Sequence, residues 1–314
     1  MGLEINGSGK VVDKKQRKFS FLSWNIGYAG LGKEMDFFYE GGKQVRPQKG
    51  KHFEYIEGIK KIIQAQNTVD FIFLQEIDIH SKRSWYSNEV ESLTQILPNF
   101  FNVFTPNYDC RFVPVPLLNP MGRVLSGMVN FLQIKPDDVK VHYFDQFFSW
   151  PKRLFYLKYC FVMMRFKLEN DKDLVIFNIH NSAYDIAKTS RKKEFAILSS
   201  IMEKEYGLGH YVVAGGDWNM NPRNFNSSSI ISGDKVFKSD KIESDFLLDW
   251  QFAFDSGEPS NRNVNIPYQK GVTETTVLDF FIVSPNIEVQ EVKTLNLNFE
   301  YSDHNPVKLS IRLK

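Results

Sequence analysis

Two apolar runs and the helix between them constrain the fold most. Residues 19–27 read FSFLSWNIG and residues 69–76 read VDFIFLQE, each an apolar strand that runs into polar groups at its end. Between them, HFEYIEGIKKIIQAQ (52–66) spaces Phe53, Ile56, Ile59 and Ile63 along one face of a helix. Strand, helix, strand in that order predicts an α/β fold. Further strands are expected at 100–104, 124–134, 159–168 and 173–180, in YVVAGGDWN (211–219) and in TTVLDFFIVS (275–284). A second helix is expected over 187–207, stopped by Gly207. From Pro306 the chain alternates Val307, Leu309 and Ile311 with Lys308, Ser310 and Arg312, a strand with one wet face. There is no internal repeat and no low-complexity linker, and the loop-rich stretch 231–275 does not divide the chain. The expectation is a polar lead-in over 1–18 and one domain over 19–314, with two sheets packed together and helices outside.

Composition narrows the partners. The 314 residues carry a net charge of +2, so a charge-driven nucleic-acid binder is not indicated, although a local basic cleft is compatible with that total. Two cysteines, Cys110 and Cys160, exclude a disulfide framework and a cysteine-rich zinc site, and leave a single bridge open. No apolar run reaches the ~18 residues of a membrane helix. The start, MGLEINGSGKVVDKKQRK, has no apolar signal core, and Asn6 stands where myristoylation wants Ser or Thr. A trimmed leader or anchor is compatible with this start, so the compartment stays unassigned.

Polar residues collect at strand ends. Asn25 closes the first strand; Gln75 and Glu76 close the second; Asn178, His180 and Asn181 close LVIFNIHN. Asp217 and Asn219 end YVVAGGDWN, Asp279 lies between Leu278 and Phe280, and Asp303 and His304 precede the last strand. Singly, each has a structural explanation: a solvated Glu, a hydrogen-bonded His, an Asx turn. Asp279 resists that treatment, because a carboxylate inside an apolar strand is costly unless paired. On α/β scaffolds such groups gather where a rigid sheet aims them.

SWNIG, FIFLQEID, FNIHNSAYD, GGDWNMNP, VLDFFIVS and YSDHNP, in this order and spacing, resemble the endonuclease/exonuclease/phosphatase superfamily, and most of all its uncharacterised bacterial members. The resemblance covers Phe19 to the C-terminus. It implies a four-layer α/β sandwich, two mixed sheets flanked by helices, and hydrolysis of a phosphate ester by water with a divalent cation. The cation implied is magnesium, with manganese or calcium as substitutes. Metal ligation falls to Asn25, Glu76 and Asp303, an oxygen set suited to a hard ion. Catalysis falls to His180, Asp217, Asn219, Asp279 and His304. Asp279 partners His304, His180 is the second active-site histidine, and the general base is either His304 or Asp217. Lys82, Arg83 and Arg262 are candidate phosphate contacts.

The substrate is the least legible part. A nuclease-type phosphodiesterase acting as a monomer on nucleic acid is the leading expectation, ahead of a lipid or small-molecule phosphoesterase; an inactive binding module is the alternative of another class. The aromatic stretch 141–166 reads as packed strand over 159–166. Over 143–156 it is open between a lipid-touching hairpin and base stacking, with Lys152 and Arg153 on the nucleic-acid backbone. Tyr108 is a candidate substrate-facing tyrosine. A basic rim around Glu76 would favour nucleic acid over an apolar one.

Overall fold

Each of the two sheets is built around one parallel strand pair joined through a helix. In the computed structural model, which describes residues 3–144, 155–182, 190–230, 235–237 and 239–314, β2 (Lys18–Asn25) runs parallel to β3 (Phe71–Asp78), and helix α1 (Lys49–Ala65) connects them. Likewise β8 (Asp173–His180) runs parallel to β9 (Tyr211–Asp217), connected through α3 (Ser190–Gly207). Parallel neighbours need such crossovers, and the helices cover the faces they cross.

The first sheet has the order β1 (Asn6–Gly7), β4 (Phe101–Val113), β5 (Gly122–Leu132), β3, β2, β16 (Val307–Leu313), β15 (Ile287–Thr294). The second runs β11 (Gln251–Ala253), β14 (Asp279–Val283), β9, β8, β7 (Cys160–Lys167), β6 (Asp138–Tyr143). A small third sheet holds β10 (Lys235–Val236), β13 (Glu274–Thr276) and β12 (Asn261–Arg262).

Period-two alternation sorts the strand side chains into layers. Phe19, Phe21, Phe71 and Phe73 from the first sheet meet Leu174, Ile176, Val213 and Phe281 from the second in one buried core. The alternate residues Leu22, Trp24, Ile72 and Leu74 face outward onto α1 and onto α2 (Glu89–Ile96) through Ile56, Ile59 and Leu93. On the far side Val175, Phe177 and Val212 receive Leu198 and Met202 of α3. The result is the expected helix–sheet–sheet–helix sandwich.

Several boundaries differ from the sequence reading. The first strand stops at Asn25 because Gly27 turns with a φ of +50°. A Cβ there would stand 2.8 Å from Asp303 Oδ1, so the close approach of this turn to the carboxylate requires glycine. Helix α2, capped by the Asn88 side chain on the Glu91 N–H, and edge strands β6 and β15 are additions to the elements expected from the sequence. The first residues are docked: β1 pairs with β4, and Leu3 and Val12 pack on the inter-sheet core. Both cysteines are free and buried, so no bridge joins them. Residues 159–166 fall largely in β7 as expected, whereas Lys152, Arg153 and the rest of 145–154 lie outside the described residues. Among those described, no helix is long and apolar enough to cross a membrane.

Toward one end of the sandwich the inner faces turn from phenylalanine to amide. Gln75 Nε2 donates to Asn178 Oδ1 at 2.7 Å, and Asn178 Nδ2 donates to Asn130 Oδ1 at 2.8 Å. This buried cluster ties the sheets together one step beneath the carboxylates and fixes their relative register.

Candidate active site

Above that cluster, strand register sets the first three groups side by side. Asp217 ends β9, opposite His180 on β8 and opposite Asp279 on β14. From the other sheet, β2 delivers Asn25 and β3 delivers Glu76. The pairing of β3 with β5 slips between Leu74 and Ile77, and Glu76 sits in this bulge with a φ of +52°. A non-glycine residue held there re-aims its side chain away from the alternation of the strand. The turn into β16 brings Asp303 and His304, and Ser302 fixes that turn by donating from its Oγ to the Asn25 carbonyl at 2.8 Å.

Asp217 Oδ2 is the hub. Asn25 Nδ2 donates to it at 3.1 Å, while His304 Nε2 lies 3.8 Å away and His180 Nε2 3.9 Å away. Asn25 Nδ2 also reaches Glu76 Oε1 at 3.2 Å, and His180 Nε2 is 3.7 Å from the same oxygen. Asn219, in the left-handed region, closes an Asx turn on Asp217 Oδ1 and donates from Nδ2 to the Asn181 carbonyl at 2.9 Å. The Asn25 Oδ1 accepts the Gly27 N–H at 3.0 Å and keeps a second lone pair.

Asp279 explains its place inside an apolar strand. Its Oδ2 accepts from His304 Nδ1 at 2.7 Å and from Ser260 Oγ at 2.8 Å. Burial pushes its carboxyl up to about 6 against the opposing pull of His304. Burial also acts to discharge the His304 ring, but the carboxylates of Asp279, Asp217 and Asp303 outweigh it and hold the imidazole well above its ordinary pKa. The remaining neighbour of Nε2 is the Asn261 amide at 2.9 Å, a group that can present either oxygen or nitrogen as the ring's protonation requires.

Asp303 is buried, and that burial raises its carboxyl to about 7, with Glu76 adding to the rise and His304 and Arg262 opposing it. The folded state therefore keeps the Asp303 proton above the pH at which the unfolded chain loses it, near 3.8. Stability falls as pH rises between those values, and Asp279 acts in the same sense up to about 6. In EDTA, Asp303→Asn is expected to gain on wild type by at least about 2 °C in melting temperature between about pH 4 and pH 7. A melting difference independent of pH would contradict this.

The structure brings together Asn25, Glu76, His180, Asp217, Asn219, Asp279, Asp303 and His304, and corrects the phosphate contacts. Arg83 is buried, donates from Nε and Nη2 to both oxygens of Asp78 at 2.9 Å, and lies 3.6 Å over the Tyr28 ring. Arg262 is buried too, spread over the carbonyls of Leu31, Gly32, Met35, Asn263 and Ile266. Both guanidinium groups brace loops around the site and cannot reach a substrate. Lys82 is half-buried, its stem against Gly122. Tyr108 is also turned away: its hydroxyl donates to the Phe155 carbonyl at 2.9 Å.

Ser260, Asn261, Ser302 and Asn107 were missed by the sequence reading. Asn107 reaches His180 Nδ1 at 3.5 Å from the middle of β4. Ser260 and Asn261 adjoin Arg262, and pairing across the fold, of β12 with β13 and of Asn261 with His304, sets them beside Asp279 and His304.

The sequence profile of the endonuclease/exonuclease/phosphatase family matches residues 22–304. The chain belongs to this family. Among solved structures, it is similar to an endonuclease/exonuclease/phosphatase from Beutenbergia cavernae, at 14% identity and a TM-score of 0.57, covering 95% of this chain and 72% of that one. It is similar to the human Nocturnin catalytic domain with bound sulfate, at 14% identity and a TM-score of 0.57, covering 99% and 97%. It also resembles D. rerio TDP2 complexed with a single-strand DNA product, at 12% identity and a TM-score of 0.56, covering 95% and 100%. At such identities these structures share the fold of the family. No curated protein matches the sequence.

Proposed function

We propose that this family member hydrolyses a phosphate ester by attack of water at phosphorus, with a divalent cation held by Glu76 and Asp303 and by the free lone pair of Asn25 Oδ1. The observation that carries the reading is convergence: an imidazole–carboxylate pair at 2.7 Å, a second carboxylate 3.8 Å from the same ring, and Glu76 close by. The donors suit a hard cation. They are oxygens, Glu76 is partly open to solvent, and Asp303 is a buried carboxyl; of the two cations acting on it, His304 is paired with Asp279 and Arg262 is committed to backbone carbonyls. Among described residues, Asp217, Asp279 and His304 also lie close enough to share an ion, but Asp279 Oδ2 already accepts two hydrogen bonds there. Magnesium, or manganese or calcium in its place, supplies charge stabilisation for the phosphoryl oxygens when bound.

The chain's own groups account for the proton movements. Asp217 Oδ2, 3.8 Å from His304 Nε2, is the atom placed to take a proton from the attacking water, because the surrounding carboxylates keep the His304 ring charged and the Asn261 amide already lies 2.9 Å from its Nε2. Asp279 holds His304 Nδ1–H and so fixes which ring nitrogen faces that water. His180 Nε2, between Glu76 and Asp217, is placed to donate to a phosphoryl or leaving oxygen. Asn219 keeps Asp217 in its rotamer.

A phosphodiester is the favoured reacting group. For nucleic acid the supporting feature would be a basic rim, and two of its three expected members are internal. The test is turnover of bis(p-nitrophenyl) phosphate in magnesium and in EDTA. The reading expects hydrolysis that needs the metal and is lost in Glu76→Ala. Turnover unaffected by EDTA would refute it.

A further inference from the structure

The turn that follows the first strand is strained. Gly27, Tyr28 and Ala29 have successive φ values of +50°, +44° and +46°, all in the left-handed region. Glycine tolerates that region; a tyrosine and an alanine side by side hold it only where their surroundings impose it, and such strain collects at functional sites. The surroundings here are explicit. His52 Nδ1 donates to the Ala29 carbonyl at 3.0 Å, and the Gly30 N–H donates to the Gly27 carbonyl at 2.8 Å. The Tyr28 ring is fixed as well. The Arg83 guanidinium lies 3.6 Å over it, and a Cβ on Gly30 would stand 2.4 Å from its Cε2, so the ring lies flush against that glycine.

The hydroxyl on that ring is buried and makes no hydrogen bond to any described residue. A buried tyrosine O–H ordinarily finds a partner. Burial keeps this phenol protonated, and the charges of Arg83, Glu76, Asp303 and Asp78 act on it, in that order of strength. Arg83 is a donor, and it occupies both oxygens of Asp78. That leaves Glu76 and Asp303 as acceptors, with Glu76 the stronger influence. Among the described residues Glu76 takes one hydrogen bond, on Oε1 from Asn25, and its Oε2 takes none. Its side chain is 27% exposed and has room to rotate, whereas the phenol is held. We propose that Tyr28 is a positioning residue of the metal site: its hydroxyl donates to Glu76 and holds that carboxylate in its ligating orientation when a cation is bound. The inference rests on the cation site proposed above and not on the hydrolysis.

Tyr28→Phe keeps the ring under Arg83 and removes only the hydroxyl. The melting temperature of the full chain, followed against magnesium concentration, gives the affinity of each protein for the ion. The variant is expected to bind magnesium about tenfold or more weakly, the usual effect of losing the partner of a metal ligand. In EDTA it should melt at or above the wild-type temperature, because a buried hydroxyl without a partner adds no stability. Turnover of bis(p-nitrophenyl) phosphate should fall at low magnesium and recover as magnesium is raised. Equal magnesium affinity in the two proteins overturns the proposal, as does wild type that binds no magnesium. So does a variant that melts lower by the same amount in EDTA and in magnesium, which marks the hydroxyl as structural. A turnover defect that saturating magnesium leaves in full also overturns it. The expected difference in affinity, in a wild type that hydrolyses nothing, refutes the hydrolysis and upholds the role of Tyr28.

Discussion

His304→Ala is expected to lower turnover of a phosphodiester by roughly 10²–10⁴-fold, the range of a lost general acid or base, with the fold retained. Retention follows from how the residue is held. Its N–H bonds Ser302 Oγ at 3.2 Å and its carbonyl accepts from Trp24 Nε1 at 2.8 Å, and alanine keeps both. What the variant removes is the ring that bridges Asp279 and Asp217. Asp279 would be left with Ser260 alone and, already raised to about 6 by burial, would rise further and take up a proton. Partial rescue by added imidazole would separate loss of the ring from general damage. An alanine variant as active as wild type would dispose of the proton-transfer scheme.

The largest effect on stability is expected from a residue that reads as a ligand contact in the sequence. Arg83→Ala should destabilise the protein by ~3–5 kcal/mol, because it strands a buried carboxylate. Asp78 is fully buried and takes both of its ionic hydrogen bonds from Arg83, and the same guanidinium reaches Ser126 and covers the Tyr28 ring. Its pairing with Asp78 overcomes desolvation and keeps it charged. Urea unfolding measures the loss. A phosphate-contact role instead predicts normal stability with a raised KM, and the two outcomes do not overlap.

The contrast between these residues shows what was legible. Apolar runs with a helix between them dictate the sandwich, because a strand with no wet face must be covered. Asp279 was legible for the same reason: a carboxylate flanked by Leu278 and Phe280 needs a partner, and His304 is that partner. Arg83 and Arg262 were misread because a sequence shows charge but not solvent. Asp78 lies five residues before Arg83, and nothing in that spacing shows that the pair is buried. Asn107 and Asn261 were out of reach because their contacts depend on strand pairing across long separations: 73 residues to His180 for one, 43 to His304 for the other.

The most direct test of the account gives the purified chain a panel of phosphate esters, with magnesium or with EDTA, and runs Glu76→Ala in parallel. The panel holds plasmid DNA, abasic duplex, single-stranded RNA, sphingomyelin vesicles and inositol phosphates. The account predicts turnover of at least one phosphate ester that requires the metal and disappears in Glu76→Ala. Turnover that persists in EDTA or in the variant, or no turnover of any member of the panel in magnesium, would contradict it.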